Sequence, residues 1–421
     1  MSAGTPSMDA ALGAPARERL GFAERVILWL GVGWLVVWLA SVVELVGERT
    51  GINLYYPVVA FYLLLFLGLR TRNIARLLGR PLFWMWIVIT LAAAVIYFVG
   101  QRNPYSYVAF RGRIVYLSVV LGTAMFMLEP TARRMLRRAG LLTLAVAVPL
   151  NVYEVVVGPV LSESLGRAAG LYLNPNASSA ALAVCTLLAV DVARASSRDL
   201  WILAFATAGV LPTFSRQGIL FMLLLWGLML LRPGARRLPQ LRRRTVTLLL
   251  LAVGGVLGIV GLLSFADLSQ DAIERLRFFV TLEAPDDSAK ARQIFVSQGI
   301  EAFRRAFWSG WGLGSMHAMG LQPHNTFLRL GIEFGIAGVG IYAAILLAGI
   351  AQVLFHPWHR SANAVVLAFF LAYISFFQHV VDTVSVFAVA FGVLLGGGLI
   401  TPNGPGTAVG AHASAQRPSG P

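Results

Sequence analysis

Apolar blocks close to the roughly 17–25 residues that a helix needs to cross a bilayer recur along almost the whole chain. Short breaks rich in arginine separate them. Lipid offers the backbone no hydrogen bonds, so each block must satisfy its own, which helices do and open sheets do not. The pattern predicts an all-α polytopic membrane protein of about twelve transmembrane helices. The spans read as Val26–Val46, Ile52–Leu69, Leu82–Val99, Ile114–Leu128, Leu141–Val157, Ala177–Val192, Leu200–Thr213, Gly218–Leu231, Val246–Phe265, Thr326–Phe355, Ala364–Phe377 and Val384–Ile400. The pair on either side of Phe214 to Gln217 is the least distinct.

The arginines orient this array. Arg70, Arg72, Arg76 and Arg80 follow the second span, and Arg133, Arg134, Arg137 and Arg138 the fourth. Arg194 and Arg198 follow the sixth; Arg232, Arg236, Arg237, Arg242, Arg243 and Arg244 follow the eighth. All are even-numbered exits, which the positive-inside rule assigns to the cytoplasm together with both termini. The four loops agree only if two spans lie between Arg198 and Arg232, which supports the short pair. Residues 1–20 then form a disordered cytoplasmic tail, 21–265 carry spans one to nine, and 266–325 form one large periplasmic loop. Residues 326–400 carry spans ten to twelve, and the Gly/Pro/Ala-rich 401–421 form a second disordered tail. The first apolar run lacks a small-residue cleavage site and reads as a retained helix. Within the large loop, Asp286-Asp287-Ser288 predicts a cap for an amphipathic helix over Ala291–Phe307, lying on the membrane surface or capping the bundle. Its apolar positions are Ile294, Phe295, Ile300 and Phe303, set against Lys290, Arg292, Glu301 and Arg304.

Composition narrows the partners. The chain is 57% hydrophobic and 13% charged, where soluble domains carry about 25% charged residues, and its mean hydropathy is +0.74. The net charge of +15 comes almost wholly from arginine in short loops, a topology signal rather than a nucleic-acid face. Membrane lipids are expected partners and nucleic acid is not. The single Cys185 lies in an apolar run, so neither a disulfide framework nor a cysteine metal site is available. Asp286-Asp287 reads as a helix cap, so no metal is expected. Tyr55, Tyr56, Trp84, Trp86 and Tyr105 near span ends fit an interfacial aromatic belt.

The basic residues that break the orientation rule are Arg102, Arg111, Arg113, Arg167, Arg216, Arg292, Arg304 and Arg305. Arginine's planar fork suits bidentate phosphate binding, so such a group points to a lipid-linked phosphate or pyrophosphate. For Arg102, Arg111, Arg113, Arg304 and Arg305 the alternative is contact with phospholipid head groups. Arg216 sits in the tight break Thr213 to Gly218, where a charge is costly unless partnered or solvated, and that marks it as functional. His324, in Gln322-Pro323-His324-Asn325 ahead of span ten, has the chemistry to take a proton from a hydroxyl. Gly335 and Gly338 permit close approach of another helix. Arg329 and Glu333 read as an i,i+4 pair neutralising itself inside the bundle. Asn174 and Asn176 are first turn and cap signals and second candidates for sugar contact. His379 and Asp382 are candidates to contact each other or an acceptor.

Together these motifs resemble the O-antigen ligase family. His324-Asn325, nine further residues and Gly335-Ile336-Ala337-Gly338 match its HN-x9-G-x-x-G signature. Gly166-Arg167-Ala168-Ala169-Gly170-Leu171-Tyr172-Leu173-Asn174-Pro175-Asn176 is similar to the segment ahead of its central helices. Ser215-Arg216-Gln217-Gly218 is similar to its "SR" turn. Arg292 followed by Trp308-Ser309-Gly310-Trp311-Gly312-Leu313-Gly314 is similar to its run before the histidine. The resemblance implies a C-type glycosyltransferase fold in the bacterial inner membrane with a periplasmic site. It implies transfer of a polysaccharide from undecaprenyl pyrophosphate to lipid A–core, with no cofactor, metal or ATP. His324 would be the base or orient the acceptor hydroxyl, and Arg216, Arg292 and Arg167 would bind the pyrophosphate. Asn174, Asn176 and Asn325 would contact substrate, and Gly335 and Gly338 would form the structural motif. The alternatives are a polymerase using the same donor, a protein O-oligosaccharyltransferase, and a transporter of lipid-linked sugars. The oligosaccharyltransferase is less expected because that type carries a larger C-terminal periplasmic region. The transporter is disfavoured because no matching inverted halves are visible.

Overall fold

The computed structural model describes residues 22–60, 71–100, 102–128, 130–158, 160–162, 166–193, 195–231, 287–355, 361–381 and 385–397. Apolar blocks become helices here, and among the described residues there is no strand. In chain order the helices are α1 Phe22–Leu39, α2 Val42–Thr50, α3 Thr71–Leu78, α4 Pro81–Val99, α5 Ser106–Met127, α6 Pro130–Val157 and α7 Pro175–Ala189. They continue as α8 Ser197–Val210, α9 Arg216–Leu230, α10 Asp287–Arg305, α11 Ser315–Ala318, α12 Thr326–Phe355, α13 Ala362–Ile374 and α14 Ser385–Leu395.

Four stretches are long and apolar enough to cross a bilayer: Pro81–Val99, Ser106–Met127, Met135–Val157 and Thr326–Phe355. The bent pair formed by α1 and α2 is a fifth if the two helices are taken together as one span. Pro175–Ala189, Arg216–Leu230, Ala362–Ile374 and Val386–Leu395 are shorter apolar helices. Leu91, Val95, Leu223 and Leu347 stand exposed on the outside, an apolar exterior that suits lipid rather than water. This is a membrane protein.

Helices pack through small residues, since lipid tails give no hydrophobic drive for helix association. A Cβ on Gly392 of α14 would lie 2.5 Å from Thr123 Cβ of α5, and one on Gly140 of α6 would lie 2.8 Å from Cys185 O of α7. α6 sits among α1, α7 and α8, and α12 among α4, α10 and α13. Trp38, Trp86, Phe126, Tyr342 and Phe391 fill the core between them.

The structure departs from the sequence expectations in places. Val26–Val46, read as one span, is broken: Ser41 takes left-handed φ 50 and ψ 33, and α1 and α2 meet at 59°. The fourth loop's arginines do not precede the next helix but lie within α6, which starts at Pro130 rather than near Leu141. The short pair is present as α8 and α9, joined through a single 3-10 turn, Leu211–Thr213. α12 has the ends expected of span ten but is kinked at Gly335 (φ 67, ψ −160). Gly335 admits a loop rather than the helix expected: a Cβ there would collide with Trp308 O, and Ile336 N–H donates to Phe307 O at 2.7 Å. α10 packs on α12, with Phe303 laid against Gly331, while Ile294 and Ile300 remain exposed. Both tails, Val246–Phe265, the latter part of Ile52–Leu69, Arg232 to Arg244, Asp286 and Asp382 lie outside the described residues.

Candidate functional site

Two helix starts make one corner of the site. Pro175 opens α7 at a position where its missing N–H costs nothing, and Asn174 caps it by accepting from Asn176 N–H at 2.9 Å and Ala177 N–H at 3.4 Å. Arg216 is the first residue of α9. Gly218 seats the two starts together, because a Cβ on it would lie 2.5 Å from Ser179 Cβ. Arg167 ties them: its Nε donates to Thr213 O at 2.8 Å and its Nη2 to Asn176 Oδ1 at 2.9 Å. Ala168 N–H adds a bond to Pro212 O at 3.0 Å. Arg167, Asn174, Asn176 and the start of α9 at Arg216 therefore share one corner, where two positive helix ends and the Arg167 guanidinium favour an anion.

The segment carrying Arg167 has little regular structure, so its backbone N–H groups need acceptors. Glu154, near the end of α6 and 3% exposed, supplies them. Its Oε1 accepts from Leu161 N–H (2.6 Å) and Ser162 N–H (2.9 Å). Its Oε2 accepts from Ala169 N–H (2.8 Å) and Gly170 N–H (2.7 Å). One turn earlier, Asn151 donates to Ser178 Oγ and Gly209 O, both at 2.9 Å, linking α6 to α7 and α8. The sequence reading passed over both. For Glu154 the available signal was a carboxylate at the end of an apolar span, which is costly unless it has work.

A second turn brings His324 to the same place. Thr326 N–H donates to Ser375 O at 2.8 Å, and Thr326 Oγ1 donates to Gln378 O at 2.6 Å and accepts from Val380 N–H at 2.8 Å. Asn325 Oδ1 accepts from Leu328 N–H at 2.9 Å, and its Nδ2 donates to Phe376 O at 3.3 Å. His324 is held at φ 46 with its ring centroid 5.7 Å from that of His379 and the rings 24° from parallel. Burial, with the Arg292 guanidinium second, holds the His324 imidazole below its ordinary pKa of 6.5. Burial does the same more strongly for His379, with the charges of Arg329, His324 and His317 adding to it. A neutral His324 at pH 7 retains a lone pair for a proton.

His324, His379, Asn174 and Asn176 line a cavity of about 540 Å³, together with Gln378, Tyr172 and one face of α2. None of Arg167, Arg216 and Arg292 is among the lining residues. Arg167 reaches the cavity through Asn176, and Arg292 makes its charge felt at His324. Of the five described non-glycine residues with positive φ, Ser41, Leu173 and His324 line the cavity, and Phe214 lies two residues before Arg216. Strain of this kind gathers where geometry serves function.

The remaining arginines sort apart. Arg113, read as an interfacial or phosphate-binding residue, is instead buried (2% exposed) with Nη2 3.5 Å from Glu333 Oε2. Arg329 Nε lies 3.6 Å from Glu333 Oε1, as the spacing suggested. Arg111 lines the cavity. Arg102 lies over the Tyr97 ring, and Arg305 pairs with Glu301 at 2.9 Å on the surface of α10. Among the described residues, no three His, Cys, Asp or Glu are grouped to hold a metal.

Residues 201–343 match the family model described as O-antigen ligase. Arg216, Arg292, His324, Asn325, Gly335 and Gly338 fall inside that stretch; Arg167, Asn174 and Asn176 precede it. No curated protein matches the chain.

Proposed function

Since residues 201–343 match the family model described as O-antigen ligase, we propose that this membrane protein is an enzyme that transfers a polysaccharide from undecaprenyl pyrophosphate to a lipid A–core hydroxyl. The reaction takes place on the periplasmic face of the bacterial inner membrane, in a bundle of about twelve spans with cytoplasmic termini. The observation that carries this reading is the meeting of His324, Asn174 and Asn176 around one cavity next to the Arg167 corner.

The donor's pyrophosphate sits at the Arg167, Arg216 and Arg292 guanidiniums. The acceptor hydroxyl gives its proton to the neutral imidazole of His324 as its oxygen bonds to the anomeric carbon. The bond from that carbon to the phosphate oxygen breaks, and its electron pair leaves on undecaprenyl pyrophosphate. Fixed guanidinium charges stabilise that developing negative charge. Undecaprenyl pyrophosphate as leaving group supplies the driving force, without ATP. Asn174 and Asn176 contact sugar hydroxyls, and Asn325 acts by fixing the His324 turn.

An assay with purified protein, undecaprenyl-pyrophosphate-linked glycan and lipid A–core tests this. Modified lipid A–core, absent with His324→Ala, is the expected product. Longer lipid-linked chains with unmodified lipid A–core would mean a polymerase at the same site.

A further inference from the structure

A cavity of about 540 Å³ has the size of a drug-sized ligand site, larger than one reacting hydroxyl requires. Its far wall is α2. Ser41, Glu44, Gly47, Glu48 and Gly51 line it, at spacings that put them on one helix face. The break at Ser41 turns that face inward. Two bonds hold the α1–α2 bend against the corner already described: Tyr172 O–H donates to Leu39 O at the end of α1 at 2.8 Å, and Arg49 Nη2 of α2 donates to Leu161 O at 3.0 Å. Leu161 is itself one of the residues clasped by Glu154. The glycines leave room: a Cβ on Gly51 would meet nothing within 4 Å, and one on Gly47 only Ile52 O at 3.9 Å.

The polar groups of this wall are mixed, with Asn53 and Arg111 beside the two carboxylates. Glu44 and Glu48 stand at i and i+4, where like charges weaken a helix, so the helix by itself gains nothing from the pair. With one guanidinium to two carboxylates, the wall repels phosphate and suits a ligand that donates hydrogen bonds. Carboxylates accept only, and sugar hydroxyls donate. The donor is fixed at the arginine corner by its pyrophosphate, and His324 and α2 line one cavity beside that corner.

We infer that the α2 wall is the acceptor subsite, in which Glu44 and Glu48 hold a neutral saccharide by its hydroxyls and disfavour one bearing phosphate beside the reacting hydroxyl. This rests on the proposed transfer reaction. The test varies a phosphate-free core oligosaccharide and its phosphorylated counterpart as acceptors at saturating donor, using the full chain in nanodiscs. The double variant Glu44→Gln and Glu48→Gln should raise KM for the neutral acceptor about tenfold, the weight of one to two hydrogen bonds. Donor KM and kcat should move less than about twofold, and the preference against the phosphorylated acceptor should shrink. Gly47→Leu, which fills the cavity without touching a charge, should raise acceptor KM as well; it provides a second reading if the double variant folds poorly. Unchanged acceptor KM in both variants, or a rise in donor KM instead, overturns the subsite. No transfer by the wild-type protein to either acceptor overturns the transfer reading alone. In that case direct binding of the neutral oligosaccharide, weaker in the double variant, still supports the subsite, and equal binding overturns it.

Discussion

Arg113 and Arg167 are both arginines in an apolar bundle, and the structure treats them in opposite ways. Arg113 meets Glu333, with Arg329 on the other side, where all three side chains are at most 3% exposed. Arg167 is tied instead by a backbone carbonyl and a neutral amide, Thr213 O and Asn176 Oδ1. Its loop hangs on Glu154 through four backbone N–H groups. A charge answered by a buried countercharge is committed to the fold. A guanidinium held by Thr213 O and by an amide that itself lines a cavity is tied to that cavity's rim. That contrast separates arginines which position in the sequence left in one group.

The contrast can be broken by substitution. The largest effect is expected at the reacting centre: His324→Ala lowers the single-turnover transfer rate by roughly 10²–10⁴-fold, the usual loss of a general base. On the structural side, Glu333→Ala leaves two buried guanidiniums without their carboxylate. It should cost about 3–5 kcal/mol, read by thermal unfolding in detergent, with kcat per folded molecule retained. Gly335→Ala forces a side chain into a backbone conformation open essentially to glycine and into Trp308 O. The backbone strain alone costs about 1–3 kcal/mol, again read by unfolding. Arg167→Lys keeps the charge but loses the fork, so donor KM should rise roughly tenfold, one hydrogen bond's worth, with the melting temperature little changed. Arg113→Lys should do the reverse; the same outcome for both would erase the distinction. The smallest effect is on pH dependence. His324 must be neutral to accept a proton, so activity falls as pH drops through its pKa, which lies below 6.5. Arg292→Gln removes a charge that lowers this pKa and moves the acid limb of the rate profile to higher pH.

Much of this was legible along the chain, because periodic apolar runs are a local property. Thr326–Phe355 has the ends its apolar run implied, and the short pair around Phe214 is two helices. His324, Asn174 and Asn176, widely separated in sequence, do line one cavity. What escaped depends on partners that leave no local mark. The break at Ser41 carries no proline at the bend, so the run around it reads as continuous. Glu154 is satisfied by backbone amides, which have no side-chain signature. Arg113 read as interfacial because its partner Glu333 lies far along the chain. Gly335 suggested a helix contact because spacing identifies close approach without saying what approaches.

A structure of the protein with undecaprenyl pyrophosphate bound tests the transfer site most directly. The expected result is a pyrophosphate within hydrogen-bond distance of Arg167, Arg216 and Arg292, with the leaving oxygen facing the cavity that His324 lines. A pyrophosphate seated elsewhere, with those three guanidiniums unengaged, would contradict it.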